Sequence, residues 1–144
     1  MEDIYLGRRL WNHPPMPFRI TDHPDGSVFA FQGAVIPFDI IEAFRHAAAF
    51  TEPTYRWSVW DYSGIDNEGT KPFWDGFMVA SLSQRIDPMI AHQTWPHRCP
   101  HVTSSELIRS LVVEYAKITQ RPKSHDLRIF SSVDAALAWA RGGD

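Results

Sequence analysis

From Phe18 to Arg141, short runs with a two-residue hydrophobic period alternate with longer runs of helical spacing, which confines the chain to the α/β class. The pattern opens as a hairpin. Phe18-Arg19-Ile20-Thr21 alternates, His23-Pro24-Asp25-Gly26 supplies turn chemistry, and Ser27-Val28-Phe29-Ala30-Phe31 resumes the extended run, which Gly33 closes. The Asp25-Gly26 pair predicts a turn with positive φ. A helix is expected from Pro37 to Glu52, with Ile40, Ile41, Phe44, Ala47 and Ala48 on one face and Pro53 as its stop. Arg56-Trp57-Ser58-Val59-Trp60-Asp61-Tyr62 is rich in β-formers and predicts a strand, followed by a polar loop from Ser63 to Gly69.

A second helix is expected with Thr70 as N-cap, Pro72 in its first turn, and Trp74, Phe77, Met78 and Leu82 as its apolar face. Met89-Ile90-Ala91, bounded by Pro88 and Pro96, predicts a short strand. Thr103-Ser104-Ser105-Glu106 has the pattern of a capping box and starts a third helix, with Ile108, Leu111, Val112 and Tyr115 on one face and Arg121-Pro122 as its stop. Leu127-Arg128-Ile129-Phe130 is the last strand. Ser131 or Ser132 caps a final helix carrying Val133, Ala136, Leu137 and Ala140, ended by Gly142-Gly143. The expected architecture is a single mixed, mostly parallel sheet of four to five strands with an N-terminal hairpin and about four helices, in one domain from 17 to 144. Residues 1–16 form an arm: Asn12-His13-Pro14-Pro15-Met16-Pro17 can neither continue a helix nor sit centrally in a sheet. Ile4, Leu6, Leu10 and Trp11 are apolar enough to dock that arm on this domain or on a partner copy.

Charge and composition exclude several classes. A net charge of -3 argues against a nucleic-acid surface or a polybasic membrane patch. Cys99 is the one cysteine, which excludes an internal disulfide and fits a reducing compartment. The acidic start Met1-Glu2-Asp3 lacks a signal-peptide pattern, and no apolar run reaches the roughly 18 residues of a membrane span. A cytoplasmic location, with no nucleic acid and no membrane span, is the expectation.

Two stretches carry a family resemblance. Trp60-Asp61-Tyr62-Ser63-Gly64-Ile65, a strand running into Asp-x-Ser-Gly-aliphatic, resembles the third-strand exit of STAS domains, the SpoIIAA-like anti-sigma-factor-antagonist fold. Leu127-Arg128-Ile129-Phe130-Ser131-Ser132-Val133-Asp134-Ala135-Ala136-Leu137-Ala138-Trp139 is similar to the closing strand and helix of that superfamily. Element order agrees from about Phe18 to Arg141. The resemblance implies a (β-α)n superhelix with helices mainly on one sheet face. Stand-alone bacterial members are non-enzymatic regulators that bind a partner protein, and one branch resembles lipid-carrying domains. Switched members carry a phosphorylatable Ser at the start of the second helix. Aligning the strand exits puts Thr70 there, in Glu68-Gly69-Thr70-Lys71-Pro72, although the family's Asp-Ser-Ser-Gly pattern is absent.

The chemistry-bearing residues each have a competing structural reading. A hydroxyl at a helix start suits phosphorylation, but Asp66 and Glu68 would repel the added charge, and an ordinary N-cap explains Thr70 better. Asp61, Asp66, Glu68 and Asp75 gather beside a strand's C-terminal end, where a hard cation could bind; their spacing is not that of an EF-hand, and a solvated acidic loop or partner contact accounts for them. His92, His97, Cys99 and His101 are potential zinc ligands within ten residues. With one Cys and no Cys-x-x-Cys half-site, an aromatic, proline-stiffened surface loop is the preferred reading of 92–101. Cys99 with a nearby His could form a nucleophile pair, but neighbours so close in sequence seldom place a base on a thiol. Of the 6 tryptophans, Trp11, Trp57, Trp74 and Trp95 are expected to be partly exposed.

The expected function is a non-enzymatic, cofactor-free STAS-like module binding a protein partner or itself as a homodimer. Ser63, Asp66, Glu68, Thr70, Trp74, Phe77 and Met78 are its candidate contact residues. The alternative is an apolar-ligand or lipid-binding domain whose cleft is lined by Trp74, Phe77 and Met78. A third reading is a metal- or Cys-dependent enzyme built on 92–101.

Overall fold

The computed structural model describes residues 17–143; the arm expected at 1–16, with Ile4, Leu6, Leu10 and Trp11, lies outside the described residues. The described residues form an α/β fold, with one mixed five-stranded sheet and five α-helices among them. Strands β1 (Phe18–His23) and β2 (Gly26–Gly33) pair antiparallel. Strands β3 (Trp57–Ile65), β4 (His97–Val102) and β5 (His125–Phe130) then add in parallel, so spatial order equals chain order.

The hairpin turn works differently from the Asp-Gly expectation. His23 pairs with Gly26, so the two-residue loop is Pro24-Asp25, where proline presets the backbone of the turn. Gly26 has no positive φ. It is needed for space: a Cβ there would fall 2.1 Å from Trp57 Cδ2. Gly33 does take positive φ, at 71°, and turns the chain out of β2.

Helix α1 (Pro37–Ala48) stops before the expected Glu52. Its last amides fall back to the i−3 bonds Ala49 to His46 and Phe50 to Ala47. That lets Phe50 fold over and stack on Tyr55, with centroids 4.0 Å apart. After β3 comes a short helix α2 (Asn67–Thr70) and a 3-10 turn at Lys71–Phe73. The long helix α3 (Gly76–Ile90) starts only then. Its N-cap is Asp75, whose carboxylate accepts the Met78 N–H at 2.8 Å, so Thr70 is not the cap. The late start also rotates the helix relative to the expected face. Val79, Leu82, Ile86 and Ile90 form the buried stripe, while Phe77 points out, 76% exposed.

The expected strand at Met89-Ile90-Ala91 is the end of α3. Pro88 sits in the last turn, where it forfeits one backbone bond, and the stripe carries on through it to Ile90. The fourth strand is instead the histidine-rich stretch, expected above to be a surface loop. Pro100 sits inside it, and the β3–β4 ladder jumps from the pair Trp57–Arg98 to Trp60–His101 across that proline. On its other side β4 pairs with β5 at every residue from His97 to Val102. Helix α4 (Glu106–Ile118) is capped by Ser105 alone, which accepts the Ile108 N–H. Glu106 is the first helical residue, two positions too early for the reciprocal bond of a capping box. Helix α5 (Val133–Ala140) is capped by Ser132.

Helices α1, α3 and α4 cover one face of the sheet and α5 the other. The first face is aromatic: Trp60 lies between Phe29 at 4.3 Å and Phe44 at 4.1 Å, both stacked. The second holds Val59, Val102, Ala136 and Trp57, which is 1% exposed and not the exposed tryptophan expected. Along β4, period two sends His97, Cys99 and His101 to the three-helix face. Arg98 and Val102 face α5.

Candidate functional site

A cleft opens between α1, α3 and α4 over the C-terminal half of β3. Its walls are apolar: Ile40, Phe44, Leu82, Ile108, Leu111 and Val112 are among them. The segment from Asp66 to Asp75 straps one side. Thr70, 1% exposed, accepts the Val35 N–H on Oγ1 at 3.0 Å, and Trp74 Nε1 donates to the Val35 carbonyl at 2.9 Å. Both backbone groups of Val35 are thus satisfied by side chains of the strap, and Asp66 N–H adds a bond to the Gly33 carbonyl at 2.9 Å.

Two polar side chains face this apolar space together. The Tyr62 hydroxyl and His101 Nδ1 are 3.0 Å apart, both residues being buried. Burial pushes the Tyr62 phenol up and brings His101 down to about 3, so the pair is neutral near pH 7.

Behind them lies a second, more polar space that shares Phe44, His101 and Tyr115 with the cleft. His97 Nδ1 donates to the Tyr55 carbonyl at 3.0 Å, which leaves Nε2 to accept the Ser58 hydroxyl at 3.1 Å. Ser58 Oγ in turn accepts the Trp60 indole N–H at 3.0 Å. His125 Nε2 donates to the Gln93 carbonyl at 2.7 Å, and Gln93 ties back to the Ala47 carbonyl. Burial lowers His97 to about 4 and lowers His125 as well, and it pushes the Cys99 thiol up to about 12. A thiol so placed carries almost no thiolate at neutral pH.

The expected contact residues separate. Trp74 lines the cleft and Thr70 is enclosed beneath it, its oxygen already used, so that hydroxyl is not open to a kinase. Phe77 is turned to solvent and Met78 is half-buried outside the lining. Ser63 is exposed and donates its hydroxyl to Asp61 at 2.6 Å; Asp66 and Glu68 are exposed on the strap. Asp75 is spent as the cap of α3, while Asp61 is taken up by Ser63. His92 is exposed after α3, away from β4, and bonds the Phe50 carbonyl. Among the described residues no three His, Cys, Asp or Glu side chains are placed to hold a metal ion. Trp95 is half-buried with its N–H on the Tyr55 carbonyl at 2.8 Å. Ser58, Tyr62 and Arg121 were not among the sequence candidates; period two along a strand at 97–102 is the signal that finds the face they share. Among the described residues no helix is long and apolar enough to cross a membrane. Compared with known proteins, the chain matches no family model, and no curated protein matches it.

Proposed function

We propose that this chain is a non-catalytic binding module that takes a slender apolar ligand in the cleft between α1, α3 and α4. One observation carries the reading. The cleft walls are apolar, and the Tyr62–His101 pair that faces them is neutral and mutually bonded. Desolvating such walls favours an alkyl chain or a single ring over a polar substrate. Burial of Cys99 weighs against the enzymatic alternative. A SpoIIAA-like assignment belongs to the same proposal, supported by a sheet whose order follows the chain and by three helices on one face.

The test is calorimetric titration with 1-decanol. Saturable one-to-one binding is expected, and Leu111→Trp, which fills the cleft from a half-buried lining position, abolishes it. A wild-type protein that takes up no decanol ends the reading.

Protein binding or self-association is the second reading, favoured by Phe73 and Phe77, which are 48% and 76% exposed on either side of Trp74. A dimer in native mass spectrometry that Phe77→Ser dissociates supports it; a wild-type monomer leaves only a different protein as partner.

A further inference from the structure

The space behind the cleft has on its wall a half-buried cation that makes no ion pair with any described residue. Arg121, just past the end of α4, lines it. Its Nε is enclosed and has no hydrogen-bond partner, and its side chain makes one long bond, from an Nη to the Ala116 carbonyl at 3.4 Å. Among the described residues no carboxylate pairs with it. Asp87 is taken up by Thr119, Gln120 and Ser83, and Asp126 lies beside Arg128. The guanidinium is near enough to depress both His101 and His125. Arg121 as a whole is half-buried, but an enclosed guanidinium N–H without a partner is costly unless an acceptor completes the site.

We propose that Arg121 receives the anionic head of the cleft's ligand, which makes that ligand a single-chain carboxylate. The inference rests on the apolar-cleft reading and names its ligand class. Phe44, His101 and Tyr115 border both spaces, so the two adjoin across these side chains, and the head group reaches Arg121 by parting them. Charge selects a carboxylate over a phosphate monoester: one guanidinium among uncharged imidazoles balances one negative charge, and a dianion would leave one uncompensated. The enclosed Nε–H and an Nη–H offer the two parallel donors a carboxylate accepts.

Decanoate and 1-decanol, equal in chain length, separate the head group from the tail. Wild-type protein is expected to bind decanoate at least about tenfold tighter than decanol, and Arg121→Gln to bind the two alike at the decanol level. Equal wild-type affinities overturn the head-group site and leave the cleft standing; binding of neither removes the cleft reading and this one with it. A second measurement needs no variant. The carboxyl carbon of bound, ¹³C-labelled decanoate titrates below the free acid if it rests on Arg121, and titration at or above the free acid overturns the assignment.

Discussion

The Tyr62 hydroxyl lies 3.0 Å from His101 Nδ1, joining the middle strand of the sheet to its neighbour at the wall of an apolar cleft. Both residues are buried, so each depends largely on the other for its hydrogen bond. Tyr62→Phe is expected to cost about 1–3 kcal/mol, because it strands a buried imidazole nitrogen. The double variant Tyr62→Phe/His101→Phe recovers a large part of that loss, since no polar atom is then orphaned. Urea unfolding of the two single variants and the double variant measures the coupling. Additive losses would show that the two side chains do not act as a pair.

The buried histidines give the protein an acid limit well above the carboxylate range. His97 is lowered to about 4, His101 to about 3, and His125 in the same direction, all chiefly by desolvation. Unfolded, each returns to a value near 6.5. Between those limits the unfolded chain holds more protons than the folded one, so stability rises with pH there. Above about pH 7 the histidine contribution is complete. It is lost as pH falls below 6.5, at up to about 1.4 kcal/mol per pH unit for each histidine still neutral in the fold. The lowered pKa of Asp22 acts only in more acidic solution, below its ordinary 3.8, so the window from pH 6.5 to 5 isolates the histidines. Urea midpoints should drop steadily across it. Midpoints that stay level from pH 7.5 to 5 would mean these imidazoles are hydrated.

The two ends of the chain's middle third differ in how much of them the sequence reveals. The hairpin, α1, β3, α4 and the closing β5–α5 unit follow from hydrophobic period, because there local preference and burial agree, although the hairpin turn and the α4 cap take other forms than expected. Between Thr70 and Val102 they conflict. Thr70 and Pro72 together mimic a helix start, yet they belong to a short turn that ends before Asp75. Pro88 mimics a helix stop, but a buried stripe ending at Ile90 holds the helix together past it. Pro96 and Pro100 mimic a loop, although burial on both faces of β4 outweighs the ladder bond that Pro100 cannot make. The site falls in this same stretch. Its polar groups depend on which face of β4 His97 and His101 occupy, and that follows only once 97–102 is a strand. Arg121 was legible only as a helix stop, since the enclosure of its Nε comes from tertiary packing.

The strap along the cleft can be loosened one atom at a time. Thr70→Val keeps the shape of the side chain and removes the acceptor of the Val35 N–H, leaving a buried amide unpaired. The expected cost is about 1–2 kcal/mol, and Thr70→Ser, which retains the oxygen, should recover most of it. Trp74→Phe removes the matching donor to the Val35 carbonyl and should cost a similar amount. Amide hydrogen exchange locates the effect. In Thr70→Val the Val35 amide should exchange much faster than in the wild type, while amides in the centre of β3 change only with global stability. A Val35 amide as protected as before would mean that its hydrogen bond to Thr70 contributes nothing to holding the strap in place.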